Sequence, residues 1–477
     1  MNDRRREAAL VPVLLLTVLV TSVVSSLGAP LVPDISAHLH VPLATAQWSL
    51  TVTLLTGAVS ATVVGRVGDG PRRRTVLVGG LAAVAAGGVV SALAPNLPVL
   101  VVGRALQGAG VGLVPVTMAA ARDHLPHQKV AGTIAVLSVS SAAGVGAGYP
   151  ISGLIADAFG VPAAFWFGAA FAAVALLAVV LAFPDSTTRS RTRLDVPGAT
   201  LLTAGLVALL VAVAQGNDWG WTSGVVLGLL AAAVAALSGW AVQQLRAAAP
   251  LVDLRLLRRP AVLGGDSCAL VLGVAMYMYL SGVTEFEQAT GFGFSASVVV
   301  TGLSLVPLSV CSLAASRSLP WLARQLGQRA VLPGGSLVTA AAGVFFALCH
   351  GALWTGFVMM AIMGAGLGLT FAAIPGLIVG AIPASETGSA TGFYQVIRYV
   401  GFSFGSALTA AVLGAHTPHG ASQPTENGYV LVLWIGAALA VAAAALTWLV
   451  PSRVAAVHDD RPGQAAPVVR DEAPTGP

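Results

Sequence analysis

Apolar residues occur in long runs that short polar segments separate. A helix needs about 20 mostly apolar residues to cross the hydrocarbon core of a bilayer, and fourteen runs meet this condition. The pattern predicts an all-α integral membrane protein with fourteen transmembrane helices. The predicted spans lie near residues 8–32, 44–65, 75–94, 98–121, 130–156, 162–183, 197–214, 222–245, 262–282, 295–316, 331–349, 353–380, 390–414 and 429–450.

The seventh and eighth runs leave a second count open. Twelve spans would result if these two runs formed one re-entrant hairpin. The segment between them contains Asn217, Asp218, Trp219 and Trp221. Tryptophan is typical of the membrane–water interface, so a polar turn between two full spans is the preferred interpretation. An even number of spans places both termini on the same side.

Lys and Arg are sorted between alternate polar segments. All but two of the 24 basic residues lie in segments on one side, and the intervening loops contain none. Short loops rich in Lys and Arg stay cytoplasmic. The pattern therefore predicts a multi-pass protein of the cell membrane with both termini in the cytoplasm. The two exceptions, Arg104 and Arg398, lie inside apolar runs.

Composition supports the membrane class and argues against others. Hydrophobic residues make up 56% and charged residues 9% of the chain, where a soluble protein has about 25% charged residues. The net charge of +5 could suggest nucleic acid, but the basic residues are scattered along the chain, so no nucleic-acid partner is expected. The first apolar run is longer than the core of about 7–15 residues in a cleaved signal, which predicts an uncleaved first helix.

No cofactor or metal site is predicted. The chain has no phosphate-binding loop of the GxxxxGK type, and its cysteines lack the spacing of metal ligands. An ion gradient is therefore the expected energy source. An intramembrane enzyme is the least favoured class, because no nucleophile–base pair is visible.

Two basic segments resemble each other and indicate an internal repeat. They are the Gly65–Arg74 segment and the Leu319–Arg329 segment. The two segments take equivalent positions if the first six spans are repeated as the last six, with two inserted spans between them. Repeats of six spans are typical of secondary transporters, whose substrate site lies between the halves. The predicted domains are a six-helix half at 1–183, two extra central helices with flanking loops at 184–260, a six-helix half at 261–450 and a disordered cytoplasmic tail at 451–477.

Four segments carry residues suited to gating and coupling. The first reads Gly-Ala-Pro-Leu-Val-Pro-Asp-Ile from residue 28 and is followed by Gln47 and Trp48. The second is the Gly65–Arg74 segment. Its glycines permit a tight turn, and Asp69 can accept bonds from backbone N–H groups at a helix start. This second segment could latch the two halves together. Its candidate gate residues are Gly65, Asp69, Arg73 and Arg74.

The third and fourth segments lie within apolar runs. The third segment reads Gly-Arg-Ala-Leu-Gln-Gly-Ala-Gly from residue 103. It places Arg104 inside an apolar run. Burying an arginine in a membrane span costs about 2.5–3.5 kcal/mol on insertion scales, so a functional role is expected. The fourth segment spans residues 144–153. Its glycines, spaced by four, form a flat packing face, and its proline kinks the helix. This combination suits a hinge. The hinge candidates are Gly144, Gly148, Pro150 and Gly153.

On these four segments the chain resembles the 14-span drug:proton antiporter branch of the major facilitator superfamily. The resemblance covers about residues 8–450. It implies proton coupling through Arg104 and an antiporter hinge in the fifth span. Three positions depart from the family pattern: the first span lacks a central acid, Arg72 replaces a usual glycine, and Pro150 comes one place later than usual.

Few acids could carry a coupled proton. The candidates are Asp34, Glu285 and Glu287, with Asp266 as a further acid near the inner end of the ninth span, and Arg104 is the candidate cation. Glu285 and Glu287 are two residues apart, so they face different directions on a helix. An interfacial acid in contact with water is the alternative for each.

A second buried pair is predicted in the C-terminal half. Asp266 and Arg398 lie in the ninth and thirteenth predicted spans, near the same side of the membrane. Because a buried cation requires compensation, we expect these two side chains to pair.

The preferred function is proton-coupled export of hydrophobic or amphipathic small molecules, as in drug or antibiotic efflux, by alternating access. The expected partners are a small-molecule substrate, protons and the lipid bilayer, and the protein is expected to be a monomer. An importer, an exporter of a self-made metabolite, and a non-transporting membrane sensor or scaffold remain alternatives. The substrate-cavity candidates are Gln47, Gln107, Tyr277, Tyr279 and Gln395.

Overall fold

A computed structural model describes residues 3–28, 31–41, 46, 48–68, 72–184, 195–247, 250–383, 386–418 and 423–449. Fourteen long helices account for most of these residues. Their bounds are α1 Asp3–Ser26, α2 Trp48–Gly68, α3 Arg73–Ala92, α4 Leu97–His124, α5 His127–Phe159, α6 Val161–Ala182, α7 Val196–Trp219, α8 Gly224–Arg246, α9 Pro260–Gln288, α10 Val298–Ser304 and Val306–Leu326, α11 Gln328–Leu348, α12 Leu353–Ala381, α13 Thr387–Ala415 and α14 Glu426–Leu449. Short helices at Val32–Leu39 and Leu254–Arg258 lie between them.

The all-α membrane fold is confirmed. Thirteen of the described helices are long and apolar enough to span a bilayer, and α1 adds the apolar segment Leu10–Ser26. The seventh and eighth predicted spans are separate helices, α7 and α8, joined at Gly220 with φ +83°. Glycine adopts this left-handed conformation without a steric penalty. Each of the two helices is long and apolar enough to span a bilayer by itself, which favours fourteen spans over the re-entrant alternative with twelve.

Buried side chains divide into two main hydrophobic cores. One is built from residues between Leu10 and Phe183, with Val379 added from the other half. The other is built from residues between Val262 and Ala443. Each core belongs to one set of six helices, α1–α6 and α9–α14. These sets correspond to the two six-helix halves that the sequence predicts.

The inserted pair α7–α8 covers one seam between the halves. Leu206 of α7 and Trp240 of α8 share a buried cluster with Ala61 of α2 and Phe393 of α13. Leu210 of α7 continues this packing in an adjacent cluster. The pair therefore contacts both halves along the α2–α13 boundary.

The tenth helix is longer than predicted. It is interrupted at Leu305, directly before a segment with Pro307 at its second position. Proline cannot donate the backbone hydrogen bond that would continue the helix. Beyond the apolar run, α10 continues to Leu326 and carries Arg317 and Arg324 on its last turns. The turn to α11 is the single residue Gly327, with φ +81°.

Asp195 ties the inserted pair together at its basic end. Its carboxylate accepts the backbone N–H of Gly198 at 2.9 Å and side-chain amides from Gln243 and Gln244 at 2.7–3.0 Å. The Gln244 oxygen accepts the N–H of Val252 at 3.1 Å. Although burial acts in the opposite direction, these hydrogen bonds hold the pKa of Asp195 below its usual range.

Candidate functional site

We call the end of the molecule that carries the basic segments the basic end. Here an ion pair joins the halves: Arg66 of α2 donates to Glu386, just before α13, at 2.7 Å. Arg122 of α4 donates to the Thr387 hydroxyl at 2.7 Å and to the carbonyl oxygens of Ile382 and Pro383 at 3.0 and 3.3 Å. These contacts form what we call the basic-end gate.

Backbone approach completes the gate. A Cβ atom on Gly65 would lie 2.6 Å from the carbonyl oxygen of Gly388, and a Cβ on Gly392 would overlap the carbonyl oxygen of Ala61. Helices α2 and α13 thus touch backbone to backbone along two turns. Small residues permit this close packing in membranes, and the predicted gate residue Gly65 lies at this contact.

The described bonds of Arg73 and Arg74 lie within the N-terminal half. Arg73 forms an ion pair with Asp123 of α4 at 2.5 Å and donates to the carbonyl oxygen of Gly68 at 2.8 Å. Arg74 donates to the carbonyl oxygen of Val180 in α6 at 2.8 Å. These bonds brace the gate helices of the N-terminal half. Asp69, the fourth predicted gate residue, lies outside the described residues.

The glycine face of α5 packs against α1. A Cβ on Gly144 would lie 2.8 Å from Cβ of Ser22, and a Cβ on Gly148 would overlap Oγ of Ser26. A Cβ on Gly153, at the end of the predicted hinge segment, would meet no other atom within 4 Å. The first two glycines are thus required by packing, and the third is not.

The opposite face of α5 meets the other half. Ser309 of α10 donates to the carbonyl oxygen of Ala143 at 3.0 Å, and Gly146 leaves the space that this hydroxyl occupies. Nearer the other end, a Cβ on Gly302 would lie 3.6 Å from Cα of Pro150. The predicted hinge segment therefore lies between α1 of its own half and α10 of the other.

Arg104 is wholly buried and caps the end of α1. Its terminal nitrogens donate to the carbonyl oxygens of Val24 and Ser25 at 3.1 and 3.0 Å, and Nε donates to the carbonyl oxygen of Ser49 at 3.3 Å. The Gln107 amide oxygen accepts a fourth bond at 2.7 Å. Carbonyls in the last turn of a helix lack intrahelical donors, and a cation is favoured there. This explains how the guanidinium is buried with no carboxylate among its described partners.

The three candidate acids lie in different environments. Asp34 and Glu285 are exposed, whereas Glu287 is wholly buried. One Glu287 oxygen accepts from the Ser304 hydroxyl at 2.9 Å, and the other, which faces Gly356, has no hydrogen-bond partner among the described residues. Glu285 and Glu287 therefore face different directions, as their spacing predicted.

The predicted pairing of Asp266 with Arg398 is not formed. Asp266 lies beside Ser389 and Ala390, while the Arg398 backbone is level with Gly273. The two positions are separated by about two helical turns along α9, or about 10 Å at the helical rise. Both side chains are buried, and each has unpartnered polar atoms. The sequence could predict that Asp266 and Arg398 lie on helices of the same half, but it could not predict their offset along the helix axes.

The cavity candidates divide between boundary and interior. Gln107 and Gln395 are buried with unpartnered amide atoms, and the Tyr277 ring lies 5.9 Å from that of Phe402. Tyr279 is a correction, because its ring lies against Gly343 of α11 and Gly436 of α14, inside the C-terminal half. Gln47 lies outside the described residues.

Two sets of residues escaped sequence reasoning. Glu386 lies in the basic-end loop between the twelfth and thirteenth predicted spans, and this loop contains no Lys or Arg. A lone acid at the basic end could have been recognised as a partner for a basic residue of another segment. Around Arg398, Tyr394 and Phe402 lie four residues to either side. On a helix this spacing places their rings on the Arg398 face.

The fold and gate define a membrane protein of two six-helix halves joined across a central boundary, an architecture of secondary transporters. A family model confirms the resemblance. The chain belongs to the Major Facilitator Superfamily, whose model matches residues 14–406 and 321–473. This is a family of membrane transporters, not of enzymes.

Relatives and solved structures agree with this assignment. An uncharacterized MFS-type transporter of Mycobacterium tuberculosis is 28% identical over 407 residues, which cover 83% of this chain and 58% of that protein. The tetracenomycin C resistance and export protein of Streptomyces glaucescens is 28% identical over 387 residues, covering 80% and 71%. The human organic anion transporter MFSD10 (TETRAN) has a similar fold, with a TM-score of 0.64, 16% identity and coverage of 94% and 100%.

Proposed function

We propose that this protein is a proton-coupled exporter of hydrophobic or amphipathic small molecules that works as a monomer in the cell membrane by alternating access. Its basic end would face the cytoplasm, as the distribution of Lys and Arg favours. The gate at Arg66 and Glu386 supports alternating access, because an ion pair between two separately packed halves can break without disturbing either core.

Glu287 is the observation that carries the coupling proposal. Its carboxyl group is buried, accepts one hydrogen bond from Ser304, and has a second oxygen without a partner. Taking an ionised carboxylate out of water without a cation is costly. The neutral acid therefore suits this conformation, and a conformation that admits water to α9 and α10 would allow the proton to leave.

Arg104 supports the same proposal from the N-terminal half. Its charge is compensated by helix-end carbonyls, not by a carboxylate. A buried guanidinium favours the ionised form of any carboxyl group that approaches it. Movement of α1 relative to α4 would expose this charge and so couple proton release to the change in conformation. The hinge segment at Gly144–Gly153 lies where such movement would occur.

Export is favoured over import by the relative from Streptomyces glaucescens, whose name describes resistance and export. The corresponding test is expression in a pump-deficient host challenged with a compound panel, with and without a protonophore. Protonophore-sensitive resistance to one or more compounds is expected. Greater sensitivity of the expressing cells to a compound would instead support import.

Proton linkage is tested in proteoliposomes with clamped pH. Using a compound from the positive panel, Arg104→Ala and Glu287→Gln are each expected to abolish export driven by a pH gradient. Arg317→Ala, which changes an exposed arginine of α10, is the matched control and should leave the rate unchanged. Full retained gradient-driven export by either of the first two variants would refute its role in coupling.

A further inference from the structure

Arg398 is a buried cation that lacks a hydrogen-bond acceptor for much of its guanidinium group. The residue is 3% exposed, and Nε and one terminal nitrogen have no hydrogen bond of good geometry among the described residues. It takes part in none of the ion pairs found among the described residues. A cation inside a membrane protein is tolerated where a partner or a wet cavity compensates it, so this arrangement is incomplete.

Four aromatic rings surround the guanidinium. Cζ of Arg398 lies 5.3 Å from the ring centroid of Phe371, 5.6 Å from Tyr394, 5.8 Å from Phe402 and 6.0 Å from Tyr399. Attraction between a guanidinium and a ring face acts within about 6 Å. The rings stabilise the positive charge, and the hydroxyl groups of Tyr394 and Tyr399 lie close enough to the guanidinium to interact with it. We call Arg398 and these four rings the aromatic box.

Further unpartnered groups lie next to the aromatic box. Gln395, one turn before Arg398, is 1% exposed, and neither atom of its amide has a partner. The buried hydroxyl of Tyr394 also lacks a hydrogen bond of good geometry. Buried polar groups normally have hydrogen-bond partners. Three neighbouring groups on one helix therefore offer hydrogen-bond donors and acceptors to a molecule bound at the boundary between the halves.

The aromatic box lies between the halves, inside the apolar run of α13. Arg398 is eleven residues into this 29-residue helix, or about 17 Å from its first residue at the helical rise. The carbonyl oxygen of Phe371 accepts from Ser138 of α5 at 2.5 Å. Tyr399 packs with Leu55 of α2. The box therefore contacts both halves, where a substrate of an alternating-access transporter must bind.

We propose that the aromatic box binds the carboxylate of a planar aromatic acid, and that aromatic carboxylates are the substrate class of this site. The inference rests on the proposed transport function. A guanidinium presents paired N–H groups that match a carboxylate. Flat aromatic bodies pack favourably against aromatic side chains. A cationic substrate would meet repulsion from Arg398, and a small inorganic anion would gain no packing contact with the rings.

Equilibrium binding tests the inference without any proton gradient. The full chain in lipid nanodiscs is dialysed against radiolabelled 2-naphthoate or 2-naphthamide, which have the same ring system and differ in charge. Wild type is expected to bind the acid more tightly than the amide. Arg398→Gln should weaken 2-naphthoate binding by at least about tenfold, since a charge-assisted hydrogen bond is lost, and 2-naphthamide binding by less than about twofold.

Two further variants keep the test decisive. Arg317→Gln makes the same change at an exposed arginine of α10 and should affect neither ligand. Arg398→Lys retains the charge but not the planar fork, so its affinity for 2-naphthoate should lie between wild type and Arg398→Gln. If Arg398→Gln does not elute as a folded monodisperse protein, the 2-naphthoate affinity of Arg398→Lys is compared with that of wild type instead.

Three outcomes would overturn the inference: equal binding of acid and amide by wild type, equal weakening of both ligands in Arg398→Gln, or displacement of 2-naphthoate by chloride at equal concentration. The last would leave only a simple anion site. The proposed function is judged separately. If Arg398→Gln still exports a neutral compound in a protonophore-sensitive manner, proton-coupled export stands even where the preference for aromatic acids fails.

Discussion

Replacing Glu386 with Gln should open the basic-end gate. The Arg66–Glu386 pair has a separation of 2.7 Å and side-chain exposures of 7% and 22%. Exposed pairs contribute about 0.2–1 kcal/mol, whereas removing one partner of a buried pair costs about 3–5 kcal/mol. This half-buried pair belongs between these limits, at about 1.5–3 kcal/mol, which corresponds to a roughly 10- to 150-fold shift in the gate equilibrium.

A buried cysteine can report this shift. Thr62 is wholly buried on α2 at the closest approach to Gly392, and its hydroxyl has no partner, so Thr62→Cys replaces it with little change in shape. With the three native cysteines changed to serine, a water-soluble maleimide labels Cys only when the gate opens. Glu386→Gln should raise the labelling rate by roughly 10- to 150-fold while the closed state predominates.

The matched control is Glu426→Gln. Glu426 pairs with His350 at 2.8 Å, but both residues belong to the C-terminal half, so this variant should leave the labelling rate unchanged. Exchanging the charges with Arg66→Glu and Glu386→Arg together should restore slow labelling. A change of less than about twofold in Glu386→Gln, or an equal increase in Glu426→Gln, would show that the ion pair does not hold the gate.

Packing and pH dependence give two further predictions. Gly148→Ala should lower the yield of folded protein in size-exclusion chromatography, because the new Cβ would overlap Oγ of Ser26. Gly153→Ala should leave this yield unchanged, because its Cβ would meet no atom within 4 Å. Equal yields of the two variants would contradict the packing argument. The depressed pKa of Asp195 adds stability above the unfolded value of about 3.9, which is lost as the pH falls below it. Asp195→Asn should thus lower the melting temperature at pH 6 and reduce its difference between pH 6 and pH 3, and an unchanged pH profile would refute this.

Much of the membrane fold could be predicted from local sequence. The apolar runs marked the helices to within several residues, because a bilayer of fixed thickness requires runs of fixed length. Gly220 and Gly327 mark turns that local chemistry required. The extension of α10 past its apolar run was not predicted, because helical structure outside the hydrocarbon core needs no hydrophobic signal.

The site was less predictable, because its contacts join residues far apart in the chain. Arg104 was singled out by its charge, but its role as the cap of α1 depends on carbonyls about 80 positions earlier. Arg73 and Arg74 were predicted as gate residues, yet their described bonds lie within the N-terminal half. The gate ion pair belongs instead to Arg66 and Glu386.

The sequence by itself determined the class, the helices and the sorting of charge, because transfer into a bilayer depends on the composition of each segment. Only the tertiary structure decided which buried charges meet. It separated Asp266 from Arg398 along α9 and α13, placed four rings around Arg398, and left one oxygen of Glu287 without a partner. The physical reason is that the axial offset between packed helices is fixed by close backbone contacts spread over both halves, and no single segment encodes it.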